Sequence, residues 1–299
     1  MGVVMKRGRF ERGELTPPNR FDIDYIAPRG DVAKFVTTFY HFRCDDPLVR
    51  DIQPAAIGHL SLFPLGKGRM SLPDGGYDDS HEVNLLTPLS CALGIEVEGP
   101  FHAVGAALSP LGWAALTGLH AQEHANRLYD AANWLPHEIA ERSAELCAGY
   151  RDGSVTAAEI GDELARLILA HAKLPRPPHL ELMATTGAWL SSELLPDVED
   201  LYAASSFSRR QTQRLVQQYF GVSPVALRRK YRALRAAAAL SQPDLSDEQA
   251  AVIQDAFYDQ PHMIHEIREF VGRTPARLAD DESPYLRELI DGKNLRELG

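Results

Sequence analysis

Residues 206–224, SFSRRQTQRLVQQYFGVSP, decide how the rest of the chain is read. At about 100° per residue, a helix from Arg209 to Phe220 puts Arg210, Gln213, Arg214 and Gln217 on one face, with Thr212, Leu215, Val216 and Tyr219 opposite. Both ends are marked: Ser208 and Gln211 form a capping box, and Gly221 sits where a helix closes in a left-handed residue. Such a helix buries one face and presents guanidinium and amide groups on the other. Those groups suit the DNA major groove, because Arg reaches bidentately to guanine and Gln to adenine. The spacing predicts a recognition helix.

The flanking residues agree. Asp197 can cap a short helix over Val198–Ala204, in which Leu201, Ala203 and Ala204 offer small apolar contacts, and the turn 205–208 completes a helix-turn-helix unit. Ser223-Pro224 opens a helix running to Leu240. A second unit follows: Ser246 and Gln249 form another capping box, Phe257-Tyr258-Asp259 a turn, and 260–270 a helix closed by Gly272 and Thr274-Pro275. On that last helix, Met263, Ile264, Ile267 and Phe270 read as buried, with Pro261, His262, His265, Glu266 and Glu269 outward. Two carboxylates near phosphates repel, so the second unit is expected to bind DNA weakly, through Gln260, His262, His265 and Arg268.

GVSP (221–224) together with AFYDQPHMIHEIREFVGRTP (256–275) resembles the signature of AraC-type transcription regulators, whose DNA-binding domain joins two helix-turn-helix units by one long helix. The resemblance covers the C-terminal third of the chain. It implies base contacts by Arg210, Gln213 and Arg214; to these the reading of the helix face and the basic run adds Ser208, Arg209, Gln217, Arg228 and Arg229 as expected DNA-binding residues. Three positions depart from the pattern. Ser206 and Ala256 stand where the family usually has turn glycines, at a cost of about 1 kcal/mol each if the backbone were left-handed there, and His265 replaces a base-reading arginine.

The formal net charge of −10 looks wrong for a DNA-binding protein until it is located. Residues 198–240 carry eight basic side chains against Glu199 and Asp200, whereas 241–299 carry six basic against thirteen acidic. An acidic body with one basic face suppresses non-specific binding and keeps a local footprint on phosphates. The run RRKYRALR, 228–235, reads as part of that footprint.

Upstream, segments 21–26, 34–44, 59–63, 70–72, 83–86, 92–97 and 101–108 read as short strands separated by Gly-, Pro- and Asp-rich loops such as PDGGYDD. Segments 111–119, 137–150 and 157–172 are helical by periodicity. Strands, then helices, then the paired units are similar to AraC-type regulators with an N-terminal cupin-like sensory domain, a resemblance supported by FHAVGAALSPLGWAALTG (101–118). The expected fold is α+β: an N-terminal arm (1–20), an all-β cupin-like barrel for effector and dimerisation (21–135), a helical connector (136–173), a proline-rich linker (174–178), an all-α double helix-turn-helix domain (179–282) and a C-terminal tail (283–299).

Composition is ordinary for a globular protein, at 44% hydrophobic and 24% charged. No stretch approaches the ~20 apolar residues of a membrane span, and three scattered cysteines suggest a reduced, cytoplasmic setting. The reading is therefore a sequence-specific, effector-responsive DNA-binding regulator whose first unit dominates base readout. Its expected partners are double-stranded DNA, RNA polymerase, a small-molecule effector and a second copy of the chain, with no cofactor and no metal. Two alternatives stand beside it: a metal-dependent cupin-type enzyme fused to a DNA-binding domain, and a regulator acting mainly through protein contacts. Against the enzyme, His41, His59, His81 and His102 are scattered without an HxH pair, and Ser109 and Cys91 lack a nucleophile's surroundings.

Overall fold

The computed structural model describes residues 16, 20–242, 245–275 and 278. The expected arm lies mostly outside these residues, and the tail wholly so. The N-terminal half is one eight-stranded antiparallel sheet: β1 (Asp22–Ile26), β2 (Val36–Cys44), β3 (Leu48–Gln53), β4 (His59–Ser71), β5 (Tyr77–Asp79), β6 (Val83–Leu86), β7 (Leu93–Leu108) and β8 (Leu128–Asp130). The order is β1-β2-β7-β4-β6-β8, with β3 also on β7 and β5 also on β4. Between β7 and β8 lies α1 (Pro110–Thr117), and α2 (His137–Asp152) and α3 (Ala157–His171) follow.

Period-2 alternation turns this sheet into a container. His59, Ser61 and Phe63 of β4 face a cavity, as do Tyr40 and Phe42 of β2 and Phe101 and Ala103 of β7. The intervening Phe39, Leu60, Leu62, Val104, Ala106 and Leu108 pack instead with Ile139, Leu146, Ile160, Leu164 and Ile168 of α2 and α3. The sheet is thus dry on its helical side and hollow on the other.

Several strands differ from expectation. Segments 92–97 and 101–108 form one strand, because Gly99-Pro100 lies inside β7; a Cβ on Gly99 would stand 1.9 Å from the Asp46 carbonyl oxygen, so glycine answers a close backbone approach rather than a turn. Segments 59–63 and 70–72 likewise merge into β4. The short strands β3, β5 and β8 were not legible as strands. Residues 174–178 do not form a spacer throughout, since Pro177 and Pro178 open α4 (Pro177–Ser192) in the first-turn positions where a missing N–H costs nothing.

The C-terminal half continues with α5 (Val198–Ala204), α6 (Arg209–Phe220), α7 (Pro224–Leu240), α8 (Asp247–Asp255) and α9 (Gln260–Val271). The two halves share buried contacts. Ala55, between β3 and β4, belongs to the C-terminal core. Ala55 N donates to Phe270 O at 2.7 Å, Ala92 N to Glu269 O at 2.9 Å and Ala121 N to Gln218 O at 2.8 Å. Arg273 Nη2 meets Asp51 Oδ1 at 2.6 Å with both side chains buried.

Burial drives the imidazoles of His59 and His41 down to about 4, with Arg43 and His102 adding repulsion at His41. Folded values below the ordinary 6.5 mean stability that is present above pH 6.5 and lost as pH falls through about 4. We expect the melting temperature to drop over that window, by an amount corresponding to roughly 3 kcal/mol per fully buried imidazole. His59→Gln and His41→Gln should each flatten the drop in a calorimetric pH series; an unchanged profile in both variants would contradict the assignment.

Candidate nucleic-acid interface

The first unit is built from its caps inward. Asp197 accepts from Glu199 N at the start of α5, and the capping box of Ser208 and Gln211 starts α6. Gly221 ends α6 at φ 83°. Neither Ser206 nor Ala256 adopts a left-handed backbone: among the described residues Asn126 is the one non-glycine with positive φ, and Ala256 has φ −73°. Both turns therefore dispense with glycine without strain. Thr212, Leu215, Val216, Tyr219 and Phe220 are buried, while Ala203 and Ala204, expected in contacts, are exposed.

Two hydrogen bonds fix the pose of α6. Thr212 Oγ1 lies 2.7 Å from Ser205 Oγ in the turn. His179 Nδ1 lies 2.5 Å from the Tyr219 hydroxyl, with Arg176 Nη2 at 3.1 Å from its other nitrogen. Because guanidinium can only donate, Nε2 accepts and Nδ1–H donates to Tyr219. Burial and the charges of Arg176 and Arg214 lower the pKa of this imidazole, which keeps the arrangement neutral.

What remains on the outer face is a short set. Arg210, Gln213 and Arg214 are exposed, Gln217 half-buried, and none has a side-chain partner among the described residues. The other basic residues of the region are committed elsewhere. Arg209 pairs with Glu199 at 2.7 Å and lies over the Tyr202 ring. Arg228 donates to Pro196 O at 3.3 Å and Arg235 to Glu193 O at 2.9 Å. Arg229 binds Glu266 at 2.6 Å and Glu269 at 3.1 Å, and Arg232 binds Glu266. Lys230 is buried, its Nζ 3.1 Å from the Ala56 and Leu89 carbonyl oxygens. The run 228–235 is thus largely internal, not the solvated phosphate footprint that its composition suggests.

The second unit departs from expectation in the same way. Glu266 is fully buried between Arg229 and Arg232, and Glu269 is half-buried against Arg229, so neither is an unpaired carboxylate facing DNA. Ile264, expected in the core, is 36% exposed. Asp259 Oδ1 accepts from His262 N at 2.7 Å and starts α9. His262 turns toward Glu266, with Nε2 at 3.4 Å from Oε1. Gln260, His265 and Arg268 are the exposed polar side chains of α9. No signal short of three-dimensional contacts marks Glu266 as internal, since its helical position borders both faces.

Among the described residues no group of three or more His, Cys, Asp or Glu is placed to hold a metal, and no helix is long and apolar enough to cross a membrane.

A family model described as "Helix-turn-helix domain" matches residues 201–280. Among solved structures, ToxT from Vibrio cholerae O395 aligns over 89% of this chain and 99% of that chain with a TM-score of 0.46 at 10% identity. Unsaturated fatty acid bound wild-type ToxT from Vibrio cholerae strain SCE256 aligns over 90% and 98%, with a TM-score of 0.44 at 8% identity. The chain has no match among curated proteins.

Removing one partner of a buried ion pair leaves an uncompensated charge, at a typical cost of 3–5 kcal/mol. Glu266→Ala strands the buried guanidinium of Arg232, leaving Arg229 with Glu269 alone, and should lose about that much in urea unfolding of the intact chain. A loss below about 1 kcal/mol, the range of surface pairs, would place Glu266 in solvent.

Proposed function

We propose that this chain, a DNA-binding transcription regulator by its AraC-type helix-turn-helix domain, reads its operator chiefly with α6 of the first unit. One observation carries the reading. Of the basic residues from 209 to 235, Arg210 and Arg214 alone are left exposed without a protein partner among the described residues, and Gln213 stands between them on the same face. Arg210 and Arg214 are assigned to guanine edges and Gln213 to adenine. Ser208, Gln217, Arg209 and Arg228 border that face and are assigned to the phosphate backbone, the last two after exchanging their present partners. In the second unit Gln260, His265 and Arg268 supply the contacts, and His262 a weaker one. A histidine in place of an arginine gives up the bidentate guanidinium fork there.

The sheet half, 21–135, serves in this reading as the effector domain, with 136–173 as connector and 179–282 as the DNA-binding domain. The cavity supports an effector role: it is lined by strands of the sheet and also by Leu234 of α7, so a bound molecule touches the DNA-binding half directly. A second copy of the chain and RNA polymerase complete the proposed partners. Sedimentation of the intact protein with and without operator tests the first, and transcription from the bound promoter in a purified system tests the second.

Arg214→Ala should weaken operator binding by about 1–3 kcal/mol and relax the preference at one base position, as loss of a bidentate guanine contact does. Arg229→Ala should instead lower folding stability and leave the salt slope of binding close to that of the parent, because Arg229 is held by Glu266 and Glu269. Mobility-shift titrations at several salt concentrations, with a denaturation series for each variant, check both. A slope shallower by about one unit for Arg229→Ala with unchanged stability would mark it as a phosphate contact and contradict this division.

A further inference from the structure

The cavity inside the sheet has a volume of about 160 Å³, comparable to the roughly 150 Å³ apolar cavity that stays dry and admits benzene. Its walls are mostly aromatic and aliphatic, with Tyr25, Phe42, Ile57, Phe63, Met70 and Phe101 prominent. The charged groups that reach it are already matched. Asp51 Oδ1 takes a bond from Arg273 Nη2 at 2.6 Å and one from Ile52 N at 2.7 Å. Arg69 Nη2 holds Glu96 Oε1 at 2.7 Å and its guanidinium covers the Tyr77 ring.

Of the uncharged polar side chains, Thr37, Thr38 and Ser80 bond to backbone groups and Gln53 lies at the wall, while three others form a chain inside. Tyr40 OH lies 2.6 Å from Ser61 Oγ and 3.3 Å from His59 Nδ1, and all three residues line the cavity. With Nδ1 engaged by Tyr40, Nε2 is the ring's remaining hydrogen-bonding atom. Burial keeps the ring uncharged at neutral pH. A carboxylate ligand would find no unmatched cation in this site, and would sit near Asp51. An ammonium ligand could be neutralised only by drawing Asp51 away from Arg273, which would leave a buried guanidinium. A neutral molecule incurs neither penalty.

We propose that the cavity binds a neutral, largely apolar molecule with one hydroxyl or carbonyl group, oriented by the hydrogen bond of that group to His59 Nε2. This rests on the reading of the sheet half as an effector domain. It adds the chemical class of the effector, and assigns His59 as the residue that distinguishes a polar-headed ligand from a bare hydrocarbon.

The test uses the intact protein and three eight-carbon compounds that differ only in their head group: octan-1-ol, octanoate and octylammonium. Titration calorimetry at pH 7.5 should show octan-1-ol binding at one site at least tenfold more tightly than either ion. His59→Leu should weaken octan-1-ol about tenfold, whereas His59→Gln, which keeps a hydrogen-bonding group, should retain most of the affinity; thermal melts establish that both variants fold. The proposal is overturned if octanoate or octylammonium binds as tightly as the alcohol, if the alcohol does not bind, or if folded His59→Leu binds it as the parent does. Operator affinity is measured separately with and without octan-1-ol. Binding without any change in operator affinity would sink the effector reading and leave the site standing, whereas operator binding by a protein that takes up no alcohol would sink the site alone.

Discussion

The buried carboxylate of Glu266, held by Arg229 and Arg232, is the constraint on which the geometry of the C-terminal half depends. Glu266 has no exposure to water, and its oxygens are satisfied by two guanidinium groups of α7. Arg232 also donates to Ala256 O at 2.8 Å and lies over the Phe257 ring, so the same side chain fixes the turn ahead of α9. A buried ion pair is weak evidence for stability, because desolvation offsets much of the attraction. Its effect here is on geometry: any slip of α9 along α7 would strand charge in the core, so one placement is enforced.

Helix α7 can serve as that reference because its faces are allotted to different neighbours. Arg229 and Arg232, three apart, face α9. Arg228 and Arg235, seven apart, donate to the Pro196 and Glu193 carbonyls between α4 and α5. Lys230 and Leu234, four apart, face the sheet half, one capping carbonyls and the other lining the cavity. Spacings of three, four and seven keep each pair on its own side of a helix. Buried Ala233, Ala236 and Ala237 leave room for close approach. The two helix-turn-helix units and the cavity wall are therefore positioned by a single rigid element.

These allotments explain which features could be read in one dimension. The bounds of α5, α6 and α7 were legible because capping boxes, Pro at the first turn and Gly at the end are local chemistry, within four residues of the backbone groups they satisfy. The outward face of α6 was legible for the same reason. The role of 228–235 was not, because nothing local separates an arginine bound to Glu266 from one left for a phosphate; the difference lies in a carboxylate 34 to 37 residues away. Strands β3, β5 and β8 escaped for a related reason. Their pairing is set by β7, β4 and β6, and LVRDIQ carries polar residues that make sense only once Asp51 is seen against Arg273.

The two signatures GVSP and GRTP show how a single side chain makes the two units unequal. Each closes its helix with a left-handed glycine, φ 83° in both, and the next residue projects from the same place in the motif. In the first unit that residue is Val222, which packs against the C-terminal core. In the second it is Arg273, whose guanidinium reaches Asp51 of β3 and is buried there. A Cβ at Gly272 would stand 2.3 Å from a methyl of Ile52, so the sheet approaches the second unit closely at that glycine, where the nearest neighbour of Gly221 stands off at 3.6 Å. Burial lifts the Asp51 carboxyl to about 6 against the pull of Arg273, so the site requires its partner to remain ionised at neutral pH. Valine at this position would leave Asp51 buried and unmatched. The arginine is thus explained by the sheet half, not by DNA, and it ties the second unit to the wall of the same cavity that Leu234 touches from α7.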